Sequence, residues 1–150
     1  MTENKQRCNW TSDDQQMIDY HDTEWGVPVH DDRKHFEFLI LDAFQAGLSW
    51  KTILHRRAGF SKAFSDFDPE VVAGYTEEDV NRLMQDTAII RNRSKIEAAI
   101  TNAGAFLKVQ KEYGSFDKFI WGFAGHRQIV NNWKHLKEIP AVSGESEAMS

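Results

Sequence analysis

Phe38-Leu39-Ile40-Leu41-Asp42-Ala43-Phe44-Gln45-Ala46-Gly47-Leu48-Ser49-Trp50 is the stretch that decides the fold. Read as a helix beginning near Asp32, it has no clean polar face. Phe36, Ile40 and Phe44 fall on one side, while Phe38, Leu39, Gln45 and Ala46 share the side of Asp42. A helix that is apolar nearly all round is a buried helix. The expectation is therefore a central helix with a carboxylate inside it. Burying that carboxylate costs several kcal/mol unless something specific pairs with it. A cationic or proton-donating ligand is one such partner. A neighbouring backbone group or an arginine, in a purely structural role, is the other.

Outward from this stretch the signals are helical throughout. Asp31 or Asp32 caps the first long helix, and Ser49 caps a second that runs through Trp50, Ile53 and Leu54 to an expected stop at Gly59. A short helical piece is expected around Ser61 to Phe64. Asp68-Pro69-Glu70 sets a cap, an N1 proline and a first-turn acid in order, with Gly74 as the stop. Thr76-Glu77-Glu78-Asp79 opens the next helix. A break at about Asp86 to Arg91 leads into a long helix striped by Ile96, Ala99, Ile100, Ala103 and Leu107. Gly114-Ser115 ends it and caps a further helix from Phe116 to Phe123. Lys137 to Pro140 reads as loop, and Ser143 to Ser150 as the polar start of a helix without its body. No strand of convincing length appears, so the fold class is all-α in a single domain spanning 1–150.

Composition narrows the function classes. The chain has 150 residues, 41% hydrophobic and 27% charged, an ordinary globular mix. The longest uninterrupted apolar run is four residues, Phe38 to Leu41, which is too short to cross a membrane. The polar stretch Met1 to Arg7 lacks the apolar centre of a signal peptide. With one cysteine, Cys8, no internal disulfide forms, which fits a reducing, cytoplasmic setting. The net charge of −5 is unevenly placed. Lys51, Arg56, Arg57 and Lys62 form one acid-free basic run, and Arg91, Arg93 and Lys95 form another. Local sign matters more than net charge for docking on phosphates, although such runs are also common as solvated helix faces.

Two constellations carry chemistry. Trp10, Tyr20, Trp25 and Trp50 crowd large amphipathic rings near Asp42 in sequence. They read as core, or as a stacking pocket for a flat ligand such as a nucleobase, with Asp42 as the polar contact. The break before Arg91 brings helix-start amides together with Arg91, Arg93 and Lys95, an arrangement that grips DNA phosphates without reading sequence. Cys8 and His21 are both good zinc ligands, but two ligands do not complete a tetrahedral site.

Four ordered motifs carry a resemblance. Arg7-Cys8-Asn9-Trp10, Tyr20-His21-Asp22-Thr23-Glu24-Trp25-Gly26-Val27-Pro28, Gln45-Ala46-Gly47-Leu48-Ser49-Trp50 and Ile89-Ile90-Arg91-Asn92-Arg93-Ser94-Lys95-Ile96 together resemble the DNA-3-methyladenine glycosylase I family. The resemblance implies an all-helical, helix-hairpin-helix glycosylase domain. It would hydrolyse the N-glycosidic bond of 3-methyladenine in alkylated double-stranded DNA, starting base-excision repair, with free 3-methyladenine as product. It further implies that Trp10, Tyr20, Trp25 and Trp50 contact the base and that Asp42 serves first to read it, with transition-state stabilisation as a second role. Ile90, Arg91, Arg93 and Lys95 would hold DNA phosphates. Cys8 and His21 would supply half of a structural zinc site whose other His and Cys lie beyond Ser150, so the chain is expected to be C-terminally truncated relative to the family. A monomer without strand-cleaving activity is expected.

The sequence departs from the family pattern at two further points. Asp42 stands where the family typically has glutamate, one methylene longer, so contact with the base lengthens or passes through water. Ala88 stands where the hairpin usually has glycine, which would cost stability if the site required positive φ. A non-catalytic DNA- or nucleobase-binding fragment is the alternative function. A zinc-stabilised interaction domain is a third.

Overall fold

The computed structural model describes residues 5–150. Among them the regular elements are helices: α1 (Gln15–Thr23), α2 (Asp32–Gln45), α3 (Trp50–His55), α4 (Arg57–Ala63), α5 (Pro69–Ala73), α6 (Glu77–Gln85), α7 (Arg93–Tyr113), α8 (Phe116–Gly122) and α9 (Gly144–Met149). The caps anticipated from sequence are made by side chains. Asp31 accepts from the Lys34 amide, Ser49 from Thr52, Asp68 from Glu70 and Val71, and Ser115 from Lys118. Thr76 and Asp79 form a reciprocal capping box. Gly114 ends α7 at φ 86°, a left-handed position that glycine takes without strain.

The core forms around α7. Ile96, Ala99, Ala103 and Phe106 bury one stripe of this helix, and α5, α8, α2 and α6 pack against it. From α2 come Phe36, Ile40, Leu41 and Phe44, and from α4 Phe60, Ala63 and Phe64. Phe44 meets Phe60 edge-on at 4.8 Å, and Phe106 stacks on Phe116 at 4.3 Å, geometries that add to area burial.

The structure corrects the reading of α2. Leu39, Asp42 and Ala43 are exposed, so the helix is buried on one face and open on the other. Glu37, five residues before Asp42, is the buried carboxylate of this helix. The open face is not bare surface, because rings from the flanking segments stand over it and leave a cleft.

Gly59 does not stop a helix. The break falls at Arg56 (φ −102°, ψ 2°), and Gly59 lies inside α4, which absorbs the expected Ser61–Phe64 piece. A Cβ on Gly59 would stand 2.5 Å from the Ala88 carbonyl oxygen, so the glycine permits α4 to abut the turn between α6 and α7. Ala88 itself is not at positive φ, so alanine fits there without the expected strain. After α4 comes a left-handed turn with φ of 52°, 52° and 57° at Ser65, Asp66 and Phe67. Hydrogen bonds from Ser61 to Asp66 and between Ser65 and Tyr75 hold it. Residues 125–150 run exposed along the surface, with α9 among them.

Candidate functional site

The open face of α2 forms the floor of a cleft of about 470 Å³, within the range of small-molecule sites. Asp42 and Gln45 reach it from α2, Met17 and Tyr20 from α1, Ser49, Trp50 and Lys51 from the start of α3, and Trp10 and Trp25 from the segments flanking α1. Four rings expected to share a pocket therefore do so, around the expected carboxylate. Trp10 lies 5.3 Å from Trp25 and 6.3 Å from Tyr20, and Tyr20 lies 5.4 Å from Trp50. The Trp50 ring also stacks on Phe38 at 6.5 Å, which ties it to the helix that carries Asp42.

Electrostatics follow from the rings. Among the described residues no hydrogen bond or ion pair satisfies the Asp42 carboxylate. Water reaches it through the open side of the cleft, yet partial desolvation among the rings pushes its carboxyl above the ordinary value. Burial, then the nearby charges of Asp42 and Glu24, raise the Tyr20 phenol as well, so it remains a protonated donor. An acceptor lacking a cation thus sits beside a held donor and three indoles. Trp50 Nε1 is buried with no hydrogen-bond partner among the described residues.

Behind Tyr20 lies a polar network with no part in the sequence reading. Arg57 donates to Glu37 (Nε to Oε1, 2.6 Å) and grips both oxygens of Glu24 at 2.7 and 2.9 Å. Burial alone would lower the Arg57 pKa, but the two carboxylates outweigh it and the guanidinium stays charged. Its carbon lies 5.4 Å from the Phe38 ring. The network joins the end of α1 to α2 and α4.

Residues 86–92, the expected hairpin turn, join α6 to α7. The four hairpin residues expected to hold phosphates are placed differently from one another. Arg91 is exposed and lacks an ion pair among the described residues. Arg93 pairs with Glu77 and with Glu97. Ile90 packs partly buried against the core. Lys95 turns inward and donates to the carbonyls of Phe44 at 2.8 Å and Ala46 at 2.6 Å. Arg56, from the other basic run, donates to Thr87 O at 2.9 Å and Ile89 O at 3.4 Å.

The Cys8 and His21 donor set does not by itself fit a zinc ion. Among the described residues no three His, Cys, Asp or Glu side chains converge as a metal site, whereas structural zinc takes four ligands. His21 Nδ1 meets Asp22 at 2.9 Å, and Arg7 holds the same carboxylate with Nη2 at 2.7 Å. His21 packs beside both indoles, 5.2 Å from the Trp10 ring and 5.3 Å from that of Trp25.

Comparison with known proteins agrees with this geometry. The methyladenine glycosylase family matches the chain over residues 10–150. DNA-3-methyladenine glycosylase 1 of Escherichia coli K12 is 46% identical over 145 residues, covering 97% of this chain and 78% of that protein. DNA-3-methyladenine glycosylase of Haemophilus influenzae is 42% identical over 144 residues, covering 96% and 78%. Among solved structures, that of 3-methyladenine DNA glycosylase I from Staphylococcus aureus, described as the structural basis of 3-methyladenine recognition, superposes with a TM-score of 0.91 at 36% identity, covering 95% of this chain and 76% of that one.

Proposed function

Because the chain belongs to the methyladenine glycosylase family, we propose that it removes 3-methyladenine from alkylated duplex DNA by hydrolysing the N-glycosidic bond. The observation that carries the reading is the cleft, in which a carboxylate without a cation stands among three indoles and a phenol. Such a site selects a flat, positively charged base.

The base is flipped out of the stack into the cleft. Methylation at N3 leaves it cationic, so the sugar bond is already weak and strong acid catalysis is unnecessary. Asp42 accepts from the base's N–H donors and offsets its charge. When the C1′–N9 bond breaks, its electron pair neutralises the ring. The oxygen of water then bonds to C1′, and the water's proton leaves to solvent. Base and abasic sugar are the products, and the strand remains intact. Asp42 also stabilises the positive charge that develops on the sugar. Arg91 and the hairpin amides hold phosphates in the helix-hairpin-helix manner. No step runs through zinc. The reading is of a monomer working in the cytoplasm, and among the described residues no helix is long and apolar enough to cross a membrane.

Chromatographic detection of free 3-methyladenine released from alkylated duplex DNA tests the proposal. Release is the expected outcome. Binding to that duplex without release would favour the non-catalytic alternative.

A further inference from the structure

The hairpin and the base cleft are separate structures, one for phosphate and one for base, yet a flipped nucleotide joins both through one fixed length of sugar-phosphate. Something must hold them in register. Lys95 ties the start of α7 to the end of α2, the helix that carries Asp42 and Gln45 into the cleft. Its main-chain amide donates to the Asn92 side chain at 3.1 Å, anchoring it in the first turn of α7 at the end of the hairpin. Its ammonium donates to Phe44 O and Ala46 O, at the end of α2. These carbonyls belong to a helix C-terminus, where acceptors lack intrahelical partners and a cation is favoured. Asp42 stands just before that terminus, and Trp50 just after the elbow that follows it. Arg56, between α3 and α4, donates to the hairpin at Thr87 O and Ile89 O. Two of the three N–H donors of Lys95 are spent on these carbonyls.

We propose that Lys95 is a positioning residue, a strap fixing the distance between the phosphate-holding hairpin and the cleft that receives the base, an inference that rests on the glycosylase reading. The strap touches neither base nor phosphate. Its loss leaves each half-site intact and misaligns them, and a displacement of about 1 Å can cost about 100-fold in rate.

The test uses the full chain as wild type, Lys95→Met and Lys95→Arg, with three readouts: affinity for free 3-methyladenine by calorimetry, affinity for a duplex bearing a tetrahydrofuran abasic analogue, and single-turnover release of base at saturating protein. Lys95→Met is expected to keep both affinities within about threefold while the release constant falls by about tenfold or more. Lys95→Arg, which restores donors to the two carbonyls, is expected to recover most of that loss. Unchanged release in Lys95→Met overturns the strap. So does a parallel loss of free-base affinity, which marks a merely structural role. A loss of duplex affinity with release at saturation retained also overturns it, because that marks a phosphate contact. Absence of release by the wild-type chain overturns the glycosylase reading, and the strap with it. Release by wild type with Lys95→Met unimpaired overturns the strap alone.

Discussion

Glu37 Oε1 lies 2.6 Å from Arg57 Nε, and this pair holds the one buried carboxylate of α2. Lys34 takes the second oxygen at 2.9 Å. The remaining edge of Arg57 is closed by Glu24. Removing one partner of such a network strands charge in a place built for its counterpart. Arg57→Met is therefore expected to destabilise the chain by about 1–3 kcal/mol in urea unfolding. Adding Glu37→Gln to Arg57→Met should recover part of the loss, since the stranded charge goes with it. Strictly additive losses would mean that the two residues are not coupled.

Asp42 carries the opposite balance. Desolvation raises its carboxyl above the ordinary value and no partner offsets this. Folding therefore favours the protonated form, and the ionised form is destabilising at neutral pH. Asp42→Asn should raise the melting temperature slightly at pH 7 and lower base release by about 10- to 100-fold, the worth of one hydrogen bond to a charged group. A variant that gained stability and kept wild-type release would remove Asp42 from the mechanism.

Gly59→Ala brings a methyl group against the Ala88 carbonyl, where the ideal Cβ position lies 2.5 Å from the oxygen. The backbone must give way, because the obstructing atom is not a flexible side chain. A loss of about 1–3 kcal/mol is expected in urea unfolding. Affinity for duplex DNA should weaken along with it, while affinity for the free base holds, because the hairpin moves and the cleft does not.

Acid should unfold the chain through its paired carboxylates. His55, with help from the Met17 amide and Lys51, holds Asp14 down to about 2. Arg7 and His21 hold Asp22 below the usual range, and Arg57 does so for Glu24. These folded-state values lie below the unfolded ones. The stability they contribute is present above about pH 4 and is lost as pH falls from there toward 2. Unfolding free energy followed across pH 2–7 should be flat at the upper end and fall steeply at the lower. Asp14→Asn should make that fall shallower.

Local chemistry made most of the fold legible. Caps at Asp31, Ser49, Asp68, Thr76 and Ser115 are short-range events between neighbouring residues, and each was visible in the sequence. Gly59 was misread because its constraint comes from Ala88, far along the chain, and propensity cannot see a contact. The turn at Ser65–Phe67 was invisible for the same reason, since none of its residues is a glycine and Tyr75 helps to hold it. At the site, the four rings and Asp42 were legible as a group. Their crowding is uneconomical for a core, and the motifs carrying them are specific. Which basic residues face outward was not legible. Arg91 and Lys95 are alike in charge, and only the approach of α2's C-terminus separates an exposed cation from one spent on carbonyls. Met17 gave no signal, because an apolar residue on a helix looks like packing until the cleft is seen.

Trp10, Trp25 and Trp50 are three of the chain's five tryptophans, and all three line the cleft. Of the others, Trp121 is tied to Val29 O and Trp133 stands half exposed on the surface segment. The cleft is thus also an optical device. A base that stacks within it changes the surroundings of most of the chain's indole fluorophores at once. Base entry can be followed in real time, on unlabelled protein, by the emission of the residues that perform the recognition.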